Sequence, residues 1–126
     1  MLCLKRIIRA NYSNPPAHGA RIVAEVLGTS DLRREWEAEL AVMRNRINGM
    51  RQKLAEGLKK AGSPVDFSFM LRQNGMFSYS GLTKEQVERL KKEFGIYMTG
   101  NGRMSVAGLA PANLEYVIGA VLAVMK

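Results

Sequence analysis

Two arginines stand beside stiff stretches of backbone, and they are the first candidates for chemistry in this sequence. Arg9 precedes a polar segment that ends in two prolines, residues 10–16, and Arg103 follows a glycine turn and opens an apolar strand, residues 104–108. A guanidinium held by stiff backbone suits bidentate recognition of a carboxylate or a phosphate. Taken one at a time, however, either arginine is explained more simply by a surface salt bridge.

The other reactive residue types are not arranged for catalysis or metal binding. His18 is the only histidine and Cys3 the only cysteine, so the sequence predicts neither a Ser/His/Asp triad nor a cluster with metal-ligand spacing. Gly100 and Gly102 lack the rest of a phosphate-binding loop. The lysines fall at helix ends or on polar faces, without the apolar surroundings that favour a neutral Schiff-base amine. The residue pattern therefore predicts no catalytic, cofactor-binding or metal-binding residue.

The composition is that of an ordinary globular protein. The 126 residues are 47% hydrophobic and 24% charged, and this length predicts one domain spanning residues 1–126. The net charge of +8 raises nucleic acid or an anionic membrane as partners. The basic residues are interleaved with glutamates and aromatic residues are sparse, which favours a solvated face of mixed sign. We therefore predict no nucleic-acid partner.

No membrane or secretory segment is predicted. The longest apolar stretch, residues 117–125, is interrupted by Gly119, whereas a membrane span needs about 20 apolar residues. The first six residues do not resemble a secretory leader. A single free thiol is typical of a reducing compartment, so we expect a cytoplasmic protein with no membrane partner.

One long amphipathic helix is the strongest structural signal. Its apolar residues recur every three or four positions: Leu32, Trp36, Leu40, Met43, Ile47, Met50, Leu54 and Leu58. Ser30 is predicted to cap this helix and Gly62 to follow its end. A heptad coiled coil is the alternative, because one isolated stripe does not reveal whether its partner is another chain or its own domain.

Shorter elements are predicted on both sides of the long helix. Asparagines and prolines predict an irregular segment over residues 2–16, and a helix that ends at Gly28 follows it. Beyond the long helix, apolar alternation predicts strands at residues 67–71 and 76–79. Thr83 and Gln86 then form a capping box for a short helix.

The last third of the chain adds two more strands and a helix. Residues 96–99 and 103–107 are predicted strands joined by the turn at residues 100–102, and Pro111 opens the final helix. The whole order predicts an α+β domain in which helices, one of them long, pack on a small sheet of few short strands. The long apolar stripe exceeds what so small a sheet covers, which indicates a missing partner.

Three segments of the sequence resemble one enzyme family, and they occur in the family's order. They are RANYSNPPAHGA at residues 9–20, QNGMFSYSGLTKEQV at residues 73–87 and GRMSVAGL at residues 102–109. The chain closely resembles the C-terminal part of the aspartate/aromatic aminotransferases, which are class I, fold type I pyridoxal-phosphate enzymes. The resemblance implies the small C-terminal domain of a transaminase that moves an amino group between aspartate, glutamate or an aromatic amino acid and a 2-oxo acid.

The resemblance also implies substrate-binding roles for four residues. Arg103 matches the arginine that binds the substrate α-carboxylate. Arg9 matches the arginine that reaches into the neighbouring subunit's site of the homodimer and pairs with the distal carboxylate of a dicarboxylic substrate. Phe77 matches an aromatic residue that lines the substrate pocket, and Ser13 lies in the loop that approaches the partner subunit's site. In aromatic-accepting members the distal arginine moves aside, so Arg9 does not decide the substrate.

The family's cofactor machinery is expected outside this stretch of chain. In the family, the Schiff-base lysine and the other groups that hold pyridoxal 5'-phosphate lie upstream of the matched region, in a large cofactor domain. We therefore expect a fragment that supplies substrate-binding arginines, does not stably bind the cofactor and is inactive alone. The alternative is a non-catalytic small domain that self-associates or docks on a full-length homologue.

Overall fold

Helices account for most of the described chain, which in this computed structural model comprises residues 2–13 and 15–126. The α-helices are α1 Leu2–Tyr12, α2 Ala17–Gly28, α3 Ser30–Lys60, α4 Lys84–Phe94 and α5 Pro111–Met125. The strands are β1 Phe77–Tyr79 and β2 Arg103–Ser105, and 3-10 helices cover Ser68–Arg72 and Val106–Gly108. The predicted α+β class, helices with a small sheet of short strands, is confirmed. Among the described helices, none combines the length and apolarity needed to cross a bilayer.

The chain divides into two compact units, Met1–Ala41 and Val42–Lys126, with the boundary inside α3. The first unit opens with a helix where the sequence predicted irregular chain. The prediction for residues 2–16 is wrong over α1, because the prolines disfavour a helix only near their own positions, while Leu, Lys and Arg before them are good helix formers. Arg9 therefore lies in the last turn of a helix. Ser13 takes a φ of +56° and donates its N–H to the Arg9 carbonyl at 3.0 Å, which ends that helix.

The long helix is confirmed, with a one-residue shift at its start. α3 begins at Ser30, and the Thr29 carbonyl accepts the first helical hydrogen bond from the Arg33 N–H at 2.9 Å. Thr29, and not Ser30, therefore occupies the cap position.

The C-terminal half of the α3 stripe packs inside its own unit. Met50, Leu54 and Leu58 are buried in the core of the second unit, together with apolar residues of α4 and α5. Leu32 and Trp36, in the first unit, are about 40% exposed. For the buried half, the partner is thus the chain's own domain rather than a coiled-coil strand from another chain.

The segment predicted as a strand at residues 67–71 is instead a 3-10 helix. Phe67 and Met70 are buried, three residues apart, whereas strict alternation would have buried every second residue. The Asp66 carboxylate accepts the hydroxyl and the backbone N–H of Ser68 at 2.7 and 2.9 Å, and these hydrogen bonds lower the Asp66 pKa. This local turn of the backbone replaces the strand.

The predicted capping box is present at α4. The Gln86 N–H donates to the Thr83 hydroxyl at 3.2 Å, and the Thr83 N–H donates to the Gln86 side-chain oxygen at 2.9 Å. Gly95, with a φ of +63°, ends the helix, and Pro111 opens α5 as predicted.

The sheet is a two-stranded antiparallel ladder. β1 pairs with β2 in the register Phe77↔Ser105, Ser78↔Met104 and Tyr79↔Arg103. Residues 96–99 form no strand, and β2 is shorter than the predicted 103–107 because a 3-10 helix takes over at Val106. The N–H and hydroxyl of Thr99 bond the Arg103 carbonyl at 3.2 and 2.8 Å, so the two segments meet in a turn and do not continue as a ladder.

The tight turn before β2 tolerates no side chain at Gly102, which gives a test of the fold. Its φ is +83°, and an added Cβ would lie 2.9 Å from the Leu82 carbonyl oxygen. We expect Gly102→Ala to lower the free energy of unfolding by about 1–3 kcal/mol. The control is Gly119→Ala at an exposed position of α5, where no heavy atom beyond the adjacent residues and the helix's own backbone lies within 4 Å of the added Cβ. This variant should raise the free energy of unfolding by about 0.5–1 kcal/mol. Urea unfolding followed by circular dichroism measures both, and equal effects would contradict the crowding at Gly102.

Candidate functional site

An open depression on the second unit contains two of the four predicted site residues. Its lining comprises Phe77, Tyr97, Met98, Thr99, Arg103 and Ser105. Phe77 comes from β1 and Arg103 from β2, so the ladder brings together residues 26 positions apart (103 minus 77).

The Arg103 side chain lies over the Phe77 ring. The register pairs Arg103 with Tyr79, which makes Phe77 its diagonal neighbour on the same face of the ladder. The guanidinium carbon is 4.9 Å from the centroid of the Phe77 ring, a cation–π contact. A contact of this kind leaves the N–H groups of the guanidinium available as donors to a carboxylate.

The backbone of Arg103 is held by the turn that precedes it. Its N–H donates to the Asn101 side-chain oxygen at 3.1 Å. Its carbonyl accepts the N–H and the hydroxyl of Thr99, and the Gly102 N–H donates to the Thr99 carbonyl at 2.9 Å. The predicted turn at residues 100–102 is therefore confirmed, and it fixes the point from which the Arg103 side chain projects.

The other strand is held along its outer edge by a side chain. The carboxamide of Gln73 accepts the Tyr79 N–H at 2.8 Å and donates to the Tyr79 carbonyl at 3.1 Å. At the end of the ladder, the N–H and the hydroxyl of Ser80 both donate to the Gly102 carbonyl, at 2.9 and 2.7 Å. β1 is thus bonded on both of its edges.

A buried arginine that the sequence analysis did not single out supports β1 from α3. Arg51 is only 3% exposed, and its Nε donates to the Ser78 hydroxyl at 3.1 Å. Its two terminal nitrogens donate to the Asn48 side-chain oxygen at 2.7 Å and to the Gly75 carbonyl. The sequence signal was present but slight: Arg51 follows the buried Met50 and precedes the buried Leu54 by three positions.

A second arginine of α3 supports the segment after β2. The terminal nitrogens of Arg46 donate to the carbonyls of Ala107 and Leu109 at 3.2 and 2.9 Å. One helix therefore holds the chain next to both strands through guanidinium groups.

Arg9 and Ser13, the other two predicted site residues, belong to the first unit. Both are exposed, and they lie together at the end of α1, where the Arg9 carbonyl accepts the Ser13 N–H. The structure thus groups the four residues as two pairs, one in each unit. The roles of all four remain predictions.

The residues that line the depression include an arginine, which suits an anion, and no lysine, which pyridoxal phosphate requires. No lysine lines it, so it offers no amine for the Schiff base that this cofactor forms. Over residues 2–13 and 15–126 no group of three His, Cys, Asp or Glu side chains is placed to hold a metal ion. What the lining does offer is a fixed guanidinium over an aromatic ring, which suits a carboxylate carried by a small organic molecule.

Comparison with known proteins agrees with this arrangement. The family model described as aminotransferase class I and II matches residues 1–121. The aspartate aminotransferase of Escherichia coli is 54% identical over 122 residues, which are 97% of this chain and 31% of that protein. The crystal structure of an aromatic-amino-acid aminotransferase from Burkholderia pseudomallei, covalently bound to pyridoxal phosphate, matches with a TM-score of 0.92 and 57% identity over 98% of this chain and 31% of that one.

A third relative extends the similarity to eukaryotes. A mitochondrial aspartate aminotransferase from Trypanosoma brucei matches with a TM-score of 0.89 and 48% identity over 95% of this chain and 32% of that one. The chain spans about a third of the length of the relatives it matches. Since the family model covers nearly the whole chain and the fold agrees, the chain belongs to the class I and II aminotransferases.

Proposed function

We propose that this chain is the substrate-binding portion of an aspartate or aromatic amino acid aminotransferase. The reaction moves an amino group between aspartate, glutamate or an aromatic amino acid and a 2-oxo acid. Family membership supports the reaction class, and relatives of both substrate types match the chain at similar identity. The observation that carries the proposal is the exposed, rigidly based Arg103 stacked on Phe77.

Arg103 is assigned to the α-carboxylate that every amino acid and 2-oxo acid carries. In the described part of the chain no carboxylate lies within salt-bridge distance of its guanidinium, although Arg33, Arg34 and Arg89 all have such partners. Its donors are therefore available to a ligand. When two N–H groups of one guanidinium bind both oxygens of the substrate carboxylate, the Cα next to that carboxylate is held in place. Transamination requires the protein to orient this Cα.

Phe77 is assigned to the wall of the substrate pocket, where its ring restricts the conformations of the Arg103 side chain. Arg9 and Ser13 are assigned to the neighbouring subunit's site in a homodimer, with Arg9 pairing the distal carboxylate of a dicarboxylic substrate. Their exposure at the end of α1 is compatible with contact to a second subunit.

Pyridoxal 5'-phosphate supplies the electron sink for this chemistry when the enzyme holds it. The depression around Arg103 has no lysine, and this chain corresponds to 31% of its bacterial relatives. We therefore place the Schiff-base lysine in the part of the family that this chain does not span. The 126 residues alone bind a substrate carboxylate but do not catalyse its transamination. We further expect a cytoplasmic enzyme.

Carboxylate binding by Arg103 is measurable without cofactor. Titration of the chain with succinate, followed by NMR, should shift the Arg103 side-chain signals. Arg103→Met should weaken the binding by about tenfold or more, because a hydrogen bond to a charged group contributes about 1.5–3 kcal/mol. Arg44→Met is the matched control, because Arg44 is exposed on α3 and the change in net charge is the same. Equal weakening by the two variants would mean that succinate responds only to the overall positive charge.

Catalysis by the chain alone provides the second test. With pyridoxal phosphate, aspartate and 2-oxoglutarate added, glutamate should form no faster than with the free cofactor. The measurement is glutamate production at several protein concentrations. A rate that rises with the concentration of this chain would contradict the placement of the lysine elsewhere.

A non-catalytic role as a self-associating domain is the second candidate, and the surface of the first unit favours it. Large apolar side chains there are more than half exposed: Leu2, Leu4, Ile7, Ile8, Tyr12, Ile22 and Val23. Apolar surface of this extent is typical of regions that contact another protein. The occupant would be a second copy of this chain or a full-length homologue.

Self-association predicts a mass that depends on concentration. In analytical ultracentrifugation the chain should sediment increasingly as dimers or larger species as its concentration rises. The double variant Ile7→Asp, Ile8→Asp should shift this equilibrium toward monomer, because it places charge in the apolar surface. Val65→Asp, at a residue of the second unit that is 47% exposed, should not. A native chain that is monomeric at every concentration would rule out self-association.

A further inference from the structure

Arg51 is a buried cation with no carboxylate partner among the residues that the structure describes. Its acceptors are a hydroxyl, a carboxamide oxygen and a backbone carbonyl, all of them neutral. Removing a guanidinium from water is unfavourable, and an ionic partner usually offsets part of the cost. Stability alone thus gives a weak reason for an arginine at this position, since an apolar residue of similar volume fills a core as well.

The acceptors of Arg51 lie on both sides of Phe77 in the sequence. Gly75 belongs to the turn before β1, and Ser78 is the middle residue of β1. Asn48, on the same helix as Arg51, holds the remaining nitrogen. Two bonds of one planar group therefore tie the segment 75–78 to α3, and the third bond, to Asn48, fixes the orientation of that group on the helix.

The alternation of β1 transmits this constraint to the opposite face. Ser78 is 2% exposed and points toward α3, whereas Phe77 is 46% exposed and points into the depression. A strand turned about its axis at Ser78 would carry the Phe77 ring with it, because successive side chains project to opposite faces. The position of the ring beneath Arg103 then depends on the bonds that Arg51 makes on the other face.

We propose that Arg51 is a positioning residue for the substrate carboxylate. It acts through Ser78, Gly75 and Phe77 to hold the guanidinium of Arg103 over the aromatic ring. The assignment to a substrate rests on the proposed function. The positioning of Arg103 by Arg51 does not depend on it, and the two are tested by different signals.

The first signal is the ring-current shift of the Arg103 side-chain protons in the chain without ligand. Protons above an aromatic ring resonate upfield, and Phe77→Leu defines the value without the ring. Arg51→Met should lose most of this displacement, while the matched control Arg44→Met should keep it. A folded Arg51→Met chain that keeps the full displacement would overturn the proposal and reduce Arg51 to a structural residue.

If Arg51→Met does not fold, a milder variant tests whether Arg51 positions Arg103. Ser78→Ala leaves Arg51 in place and removes the acceptor of its Nε, so it should lose part of the ring-current displacement. An unchanged displacement in Ser78→Ala would overturn the proposal. Urea midpoints of the same variants report stability separately, because a purely structural role moves the midpoint and leaves the ring-current shift of the folded molecules intact.

The second signal is the dissociation constant for succinate. Arg51→Met or Ser78→Ala should raise it severalfold and Arg44→Met should not. If the native chain does not bind succinate at all, the proposed function fails. The ring-current comparison still decides whether Arg51 positions Arg103. If succinate binds and the Arg51 variants bind it as tightly as the native chain, the proposed function stands and the link from Arg51 to the substrate fails.

Discussion

The short ladder between β1 and β2 is the constraint on which the functional face of this chain depends. Two strands of three residues are not stable by themselves in water. Here the ladder is supported by α3, whose Arg46 and Arg51 bond the chain beside each strand, and by the turn that ends at Gly102. The rigidity of Arg103 is therefore a property of the whole second unit and not of the strand that carries it.

Two arginines in this unit show what surroundings do to the same chemical group. Arg51 is buried among neutral acceptors, and each of its three side-chain nitrogens donates a hydrogen bond to the protein. Arg103 has a fixed backbone, its guanidinium lies over an aromatic ring, and the residue is exposed. An arginine side chain has about 2 kcal/mol of rotamer entropy to lose on binding. Stacking on Phe77 removes part of that loss before a ligand arrives.

The parts of the fold that the sequence predicted well are those with a local cause. The capping box at Thr83, the glycine turn before Arg103 and the long period of α3 all follow from residues close in the chain. The prediction of a strand at residues 67–71 was wrong because the Asp66 side chain hydrogen-bonds the backbone and the hydroxyl of Ser68 and so favours a turn. The alternation of apolar residues carries no information about such side-chain hydrogen bonds. The prediction of irregular chain over residues 2–12 failed because the prolines at residues 15 and 16 disfavour a helix only near their own positions, and α1 ends before them at Tyr12.

Only part of the candidate site could be predicted from the sequence. The residue pattern alone singled out Arg9 and Arg103 as possible anion-binding groups, and Phe77 and Ser13 came from the family resemblance. The support from Arg46 and Arg51 was not predicted, because all of their acceptors except Asn48 lie between 24 and 63 positions away in the chain. From the composition alone, every basic residue was expected on the solvated surface. Nothing in the local spacing separates a guanidinium that bonds distant backbone from one that faces water.

The carboxamide of Gln73 has a consequence for how this chain behaves at high concentration. By bonding both the N–H and the carbonyl of Tyr79, it takes the place that an incoming strand would occupy on the free edge of β1. An open strand edge invites the main chain of another molecule, which is a common route to fibrils and amorphous precipitate. One side chain therefore protects the outer edge of β1 against pairing with the main chain of another molecule.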